Sequence, residues 1–214
     1  MAGTEFRVYA TPVSVYSCKL RLALALKGLQ WREVEPPGGY GSAPYRAIVA
    51  QGTVPALVHD GAVLAESDAI IEYLDEIGAG PLLLPGGPQA RARARALSRF
   101  IDTRLEPAVR ALFPFVGSDG AVPEATRATL SGQMDRFAAI VGPGPYLSGQ
   151  SPGLPDCGFW AVAAVLETLN RALALDLAMR WPTLAGDDLP ECADHLRAYR
   201  TALAGWAAAR GAPT

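Results

Sequence analysis

The chain has little of what metal and disulfide chemistry needs: three cysteines and two histidines in 214 residues. Cys18, Cys157 and Cys192 are odd in number and form no C-x-x-C pair, and His59 and His195 lie in no H-E-x-x-H context. A disulfide framework, a cysteine zinc site and a catalytic metal are therefore not expected. An excess of one charge is also missing. Nineteen Lys and Arg face twenty-one Asp and Glu, a net charge of −2, which offers no positive field to nucleic acid or to an acidic membrane. The longest apolar run, Cys157 to Leu166, falls far short of the ~20 residues that span a bilayer, and the opening residues show no charged segment followed by an apolar stretch. A soluble, cytoplasmic protein is expected. Lysine is nearly absent, with Lys19 and Lys27 the only two among the 19 basic residues. The arginine and alanine bias suggests a high-GC, bacterial genome and says nothing about function.

What is present is a core. Half of the residues are hydrophobic and 19% are charged, enough apolar surface to offset the entropy of ordering the chain. The length admits one large domain or two small ones. From Glu5 to Ile77 short extended runs alternate with helical ones. Phe6–Ala10 and Trp31–Val34 read as strands, and Tyr16–Gly28 as a nearly all-apolar helix closed by a glycine. A weak helix near Ala43–Ala50 leads to a strand over Val54–His59. Asp60-Gly61 is a hairpin turn into Ala62–Ala65, and Ile70, Tyr73, Leu74 and Ile77 mark a helix from Ser67. The order is βαβαββα. Gly78 to Pro88 is the candidate linker, and four helices are expected beyond it, over 89–116, 123–141, 154–175 and 190–210. The expected architecture is α/β plus all-α: a small α/β domain over 1–80 and a helical one over 88–214.

Two tempting patterns fail on physical grounds. Gly149-Gln150-Ser151-Pro152-Gly153 is a literal G-x-S-x-G, but the nucleophile elbow of a hydrolase uses the N–H of the residue after the serine, and Pro152 has none. Arg91, Arg95 and Arg99 share one helix stripe without interleaved aromatics, which reads as a solvated face or one lining a cleft.

Ser14-Val15-Tyr16-Ser17 joins the first strand to the first helix, where a thioredoxin-like fold carries C-x-x-C; both positions are serine here. A serine there can cap the helix, or its hydroxyl and the helix dipole can stabilise an anion brought by a ligand. Val54-Pro55 opens a strand and leaves the Val54 backbone free for an extended peptide. Glu66-Ser67 opens the third helix, whose free N–H groups suit a carboxylate. Together the three describe a groove for a short acidic peptide with its thiol at Ser14.

On these residues the chain resembles the cytosolic glutathione S-transferases of the serine type (zeta, theta and tau). In those classes the catalytic serine stands seven residues before a position in the first helix, and counting back from Arg21 lands on Ser14. Val54-Pro55-Ala56-Leu57 resembles the family's V-P-x-L, whose proline is cis, and Glu66–Leu74 resembles its E-S-x-A-I-x-x-Y-L. Gly149 and Asp156 match the motif before the central helix, while Gly153 takes the cap position, so half the usual capping is expected there at a cost of a few tenths of a kcal/mol. Val15 stands where many relatives have proline, Tyr16 where the zeta type has cysteine, and Gly52 and Thr53 where the tau type has lysine.

The resemblance implies a thioredoxin-like N-terminal domain, glutathione as co-substrate, no metal, and a homodimer. It also implies an enzyme that presents glutathione as thiolate to small hydrophobic electrophiles. Ser14 is expected to hold the sulfur, with Ser17 and Tyr16 as alternative hydroxyls; Val54, Pro55, Glu66 and Ser67 are expected to bind glutathione. Tyr9, inside a strand, reads as structural, and Cys18 as a buried small hydrophobe. Phe113, Phe115, Trp160, Met179 and Trp181 are candidates for the electrophile pocket. Alternatives are a glutathione-dependent isomerase, dehalogenase or etherase on the same serine, or a non-catalytic glutathione-binding scaffold.

Overall fold

A computed structural model describes residues 5–177 and 186–212. Four strands, β1 (Phe6–Tyr9), β2 (Trp31–Val34), β3 (Ala56–His59) and β4 (Ala62–Ala65), form one sheet in the order β2-β1-β3-β4. β1 and β2 run parallel because helix α1 (Val15–Leu26) crosses between them. β3 and β4 are an antiparallel hairpin closed by Asp60 and Gly61, both at positive φ. Helix α3 (Ser67–Glu76) follows. α1 and α3 cover one face of the sheet, and Leu20, Leu22, Leu24, Ile70, Ile71 and Leu74 are fully buried beneath them.

The other face carries a smaller core. The short helix α2 (Ala43–Arg46) drives Tyr45 against Tyr9, ring centroids 5.4 Å apart, with Val49, Val54 and Ala56 around them. The Tyr45 hydroxyl donates to the Thr53 carbonyl at 2.8 Å and so fixes the approach to Val54. Tyr9 is structural, as its place in the strand implied.

The segment from Gly78 to Gly87 is packed. Buried Lys27 meets the Asp75 carboxylate at 2.6 Å and the Pro81 carbonyl at 2.7 Å. Asp75 in turn accepts from the N–H groups of Leu83 and Leu84 at 3.0 and 2.9 Å. The Leu83 carbonyl then receives the N–H of Leu154 at 2.9 Å, so the connection is stitched to both halves of the molecule.

Helices α4 (Pro88–Phe100), α5 (Glu106–Arg110), α6 (Glu124–Ile140), α7 (Leu154–Ala172) and α8 (Pro190–Ala208) complete the described chain. The run expected as one helix over 89–116 is interrupted. Between α4 and α5 lies a π-turn, Ile101–Leu105, and after α5 a 3-10 turn, Phe113–Phe115. Pro107 supplies the reason: an α-helical register would press its ring against the carbonyl four residues back, and it has no N–H to donate. The Glu106 N–H reaches five residues back to Ile101 instead.

α7 is the central helix of this half, buried over most of its length, and its Phe159 stacks on Phe137 of α6 with ring centroids 5.1 Å apart. Its start has the reduced capping the sequence implied. Asp156 accepts from the Gly153 N–H at 2.9 Å and from Leu147 at 2.7 Å, and no side chain at position 153 returns the bond. The space explains the glycine, since a Cβ there would lie 2.6 Å from the Leu83 carbonyl oxygen.

Candidate functional site

A cavity of about 800 Å³ opens between the sheet-bearing half and the helical half. Its four main walls are the β1–α1 loop, the Thr53–Pro55 segment, the start of α3, and the chain from the end of α4 to Phe113; Tyr40, from the loop between β2 and α2, adds to the lining.

On the first wall Ser14 is the N-cap of α1, and its hydroxyl oxygen accepts the Ser17 N–H at 3.1 Å. A serine hydroxyl has one proton and two lone pairs. With a lone pair spent on the cap, the proton remains to be donated, at the positive end of a twelve-residue helix. The loop that carries Ser14 is fastened behind. Arg21 donates to the Thr11 carbonyl at 3.2 Å while its Nε binds Glu33 of β2 at 2.9 Å, and the Thr11 N–H reaches the Ser17 hydroxyl at 3.4 Å. Burial works against the Glu33 charge, but the Arg21 bond and charge hold its carboxyl below the ordinary value.

The second wall is Val54, joined to Pro55 by a cis peptide bond. The strand ladder begins at Ala56, which leaves Val54 outside it and against the cavity. The third wall is the N-terminus of α3. Its first intrahelical bond runs from the Ile70 N–H to the Glu66 carbonyl, so the N–H groups of Ser67, Asp68 and Ala69 have no helical acceptor, and all three residues line the cavity. Glu66 adopts φ +69°, a conformation rare for a side chain with a Cβ, to turn the chain into that helix.

The fourth wall is polar. Arg99, Asp102, Thr103, Glu106 and Arg110 reach it from the helical half, with Phe113 beyond them. The π-turn shapes this face. Pro107 cannot donate to the Asp102 carbonyl, and that oxygen accepts the Tyr16 hydroxyl at 3.3 Å instead. Burial, then the Glu106 and Asp102 carboxylates, push the Tyr16 hydroxyl well above its ordinary value, so it stays protonated.

Beneath the floor lies Lys19, with 0% of its side chain exposed. Its ammonium contacts Asp68 of α3, Asp102 of the π-turn at 2.7 Å and Ser98 of α4 at 3.1 Å. Gly158 of α7 makes room for the stem. For Asp102, burial raises the carboxyl pKa and outweighs the pull of Lys19, with Asp68 adding to the rise. One lysine thus joins α1, α3 and the helical wall at a single point.

The structure brings together Ser14, Tyr16, Val54, Pro55, Glu66, Ser67 and Phe113 around the cavity. It does not bring the remaining candidates there. Ser17 is fully buried and outside the lining, its N–H donated to Ser14 and its hydroxyl oxygen accepting from Thr11. Trp160 is a core residue of α7, 3% exposed, and half-buried Phe115 is turned away from the lining. Met179 and Trp181 lie outside the described residues. Sequence reasoning missed Lys19, Asp102, Glu106 and Arg110. A lone lysine inside an apolar helix and a proline inside a helical run were the signals available for the first two.

Residues 8–82 match the family described as Glutathione S-transferase, N-terminal domain. A probable glutathione S-transferase, BZ2, of Zea mays is 32% identical over 197 residues, covering 84% of this chain and 83% of that protein. The maleylacetoacetate isomerase of Pseudomonas aeruginosa is 30% identical over 189 residues, covering 83% of this chain and 87% of the other. Among solved structures, a bacterial maleyl pyruvate isomerase of the zeta class, a glutathione S-transferase, aligns with TM-score 0.71 at 27% identity over 92% of this chain and 97% of its own. An epsilon-class glutathione S-transferase of the housefly Musca domestica gives TM-score 0.79 at 17% identity over 98% and 100% of the two chains, a likeness of fold. With relatives at 30% identity or above matched over most of their length and the N-terminal domain matched over residues 8–82, the chain belongs to the glutathione S-transferase family.

Proposed function

We propose that this chain is a glutathione transferase in which Ser14 donates a hydrogen bond to the glutathione sulfur and holds it as thiolate. Residues 1–80 bind glutathione: the Val54 backbone pairs with the cysteinyl unit, Pro55 holds that segment in place, the open N-terminus of α3 with Ser67 takes the γ-glutamyl carboxylate, and Glu66 takes the amine. Residues 88–214 supply the wall against which an electrophile is attacked, with Phe113 as its apolar shelf. The enzyme acts as a cytoplasmic homodimer.

The observation that carries this reading is the Ser14 hydroxyl, which accepts the Ser17 N–H and keeps its own proton for a partner in the cavity. A free thiol titrates near ~8.5, and lowering that by about two units stabilises the thiolate by ~2.7 kcal/mol. A hydrogen bond to the anion at a helix N-terminus supplies stabilisation of that order. Ser14 plays the part of an oxyanion-hole donor for sulfur and forms no covalent bond.

The test is an ultraviolet titration of bound glutathione from about pH 5 to 9 in native protein and Ser14→Ala. The native protein is expected to ionise the thiol well below ~8.5, and the variant near it. Turnover of an electrophile should fall by about a hundredfold to a thousandfold in the variant. Equal titrations in the two would remove Ser14 from the mechanism. Binding without ionisation would favour a scaffold.

A further inference from the structure

We infer that Trp206, near the end of α8 and outside the cavity lining, is a positioning residue that sets how wide an electrophile the site accepts; this rests on the transferase reading above. Four side chains from two distant parts of the chain are stacked in one column. The Arg110 guanidinium lies 5.6 Å from the centre of the Phe113 ring, and the Phe113 and Trp206 ring centroids are 4.9 Å apart with their planes at 48°. The Arg210 guanidinium covers the indole at 4.5 Å. Arg110 and Phe113 line the cavity; Trp206 and Arg210 stand behind them.

Among the described residues, Phe113 is the one apolar side chain that the helical half presents to the cavity. Its own element does not fix it. A single 3-10 turn holds the backbone over Phe113–Phe115, but a half-buried ring keeps its choice of rotamer unless something stands behind it. Trp206 stands there, carried by a nineteen-residue helix that packs on α1 and α7 through buried Leu196, Tyr199 and Leu203. The end of that helix is docked closely on the chain that leaves the 3-10 turn. Gly117 sits at φ +72°, and a Cβ there would overlap the Arg210 carbonyl oxygen, so only glycine lets the two meet. Gly211, at φ +84°, then turns the chain back, the Ala212 N–H reaches the Ala207 carbonyl at 3.2 Å, and Ala212 is buried. With this backing Phe113 is a wall of set depth. Without the indole the ring swings into the space it leaves, and the cavity widens at the electrophile's end.

The probes are 1-chloro-2,4-dinitrobenzene and its wider analogue 1-chloro-2,4-dinitronaphthalene. In both, the glutathione sulfur bonds to the carbon bearing chlorine, chloride leaves with the electron pair, and the thiol proton goes to solvent. Each kcat/KM is divided by the uncatalysed rate constant with free glutathione, which removes the different reactivity of the two arenes. Trp206→Leu is expected to raise the ratio of naphthalene to benzene by about threefold to tenfold, through KM and with the ionisation of bound glutathione unchanged. Trp206→Phe keeps a ring behind Phe113 and should stay near the native ratio, and Arg210→Ala should raise it less than Trp206→Leu does. In a Phe113→Leu background Trp206→Leu should add nothing, because the ring it positions is gone.

Leu196→Ala, a core change nearly three turns up the same helix, separates positioning from stability: it should lower the melting temperature and leave the ratio alone. Calorimetric binding of the two dinitroaryl conjugates of glutathione gives the ratio without turnover, and Trp206→Met replaces Trp206→Leu if the latter does not fold. A ratio that stays native in the Trp206 variant, that moves equally in Leu196→Ala, or that still responds to Trp206 in the Phe113→Leu background would overturn the inference. A failure of the transferase reading looks different: no thiolate signal, and neither conjugate bound.

Discussion

At Ser14 one oxygen closes a helix and offers a proton, and the two uses are compatible because the cap takes a lone pair. Such a site is legible in sequence, since the strand, the serine and the helix are neighbours in the chain. Tyr16 is two residues away, and its partner, the Asp102 carbonyl, is 86 residues on, so nothing local could separate a thiol contact from a carbonyl cap. Arg21 and Glu33 behind the loop give a prediction at this scale. Folding holds the Glu33 carboxyl below its ordinary 4.5, so between the two values the unfolded chain carries a proton that the folded chain lacks. The stability this pair contributes is present above about pH 4.5 and lost as the pH falls through the lowered value. Thermal melts of native protein and Glu33→Gln should therefore differ most near neutrality and converge in acid; a constant gap would sink the assignment.

Among the elements, the strands, α1, α3 and the hairpin turn were legible from period and turn residues, whereas the break after α4 was not. The expected helix over 89–116 has sound apolar spacing, and the interruption comes from the missing N–H and the ring of Pro107, which the chain accommodates by a π-turn. The linker was read from its glycines and prolines as a turn-rich joint, which it is, but its packing depends on Lys27 and Asp75 far outside it. Gly80 shows how tight the joint is. It sits at φ +69°, and a Cβ there would overlap the Lys27 carbonyl oxygen. Gly28 has nearly the same φ, +65°, with nothing within 4 Å of such an atom. Gly28→Ala should cost about 1 kcal/mol from backbone strain alone, and Gly80→Ala at least ~2 kcal/mol more, read as denaturation midpoints. Similar losses at the two positions would show that the joint yields.

Across the whole molecule, the order βαβαββα followed by helices was readable, and so was the grouping of Ser14, Val54 and Glu66-Ser67 around one groove. The far wall was not. Phe115 and Trp160 were drawn from their apolar character, yet a large aromatic serves a core as readily as a pocket, and Trp160 lies in α7 among buried neighbours. Most of the residues that do face the groove from this half are charged, and in sequence they are indistinguishable from a solvated helix face. What registers that wall against the first half is Lys19, whose three partners lie 49, 79 and 83 residues away in the chain.

The scarcity of lysine has a chemical meaning once burial is known. Both lysines of the chain are buried and ion-paired, Lys19 at 0% and Lys27 at 3% exposure, and all three cysteines are buried as well. Burial pushes the Cys18 and Cys192 thiols up to about 12 and the Cys157 thiol well above its ordinary value, so none is a thiolate near neutrality. A catalyst of electrophile capture thus carries no side-chain amine or thiol within reach of the compounds it handles. Intact-mass measurement of the folded protein after exposure to iodoacetamide, or to a chloronitroarene without glutathione, should show no adduct on these five side chains, and the same treatment in denaturant should alkylate the cysteines. The fold that activates one borrowed sulfur keeps its own nucleophiles out of the reaction, and the protein outlasts its substrates.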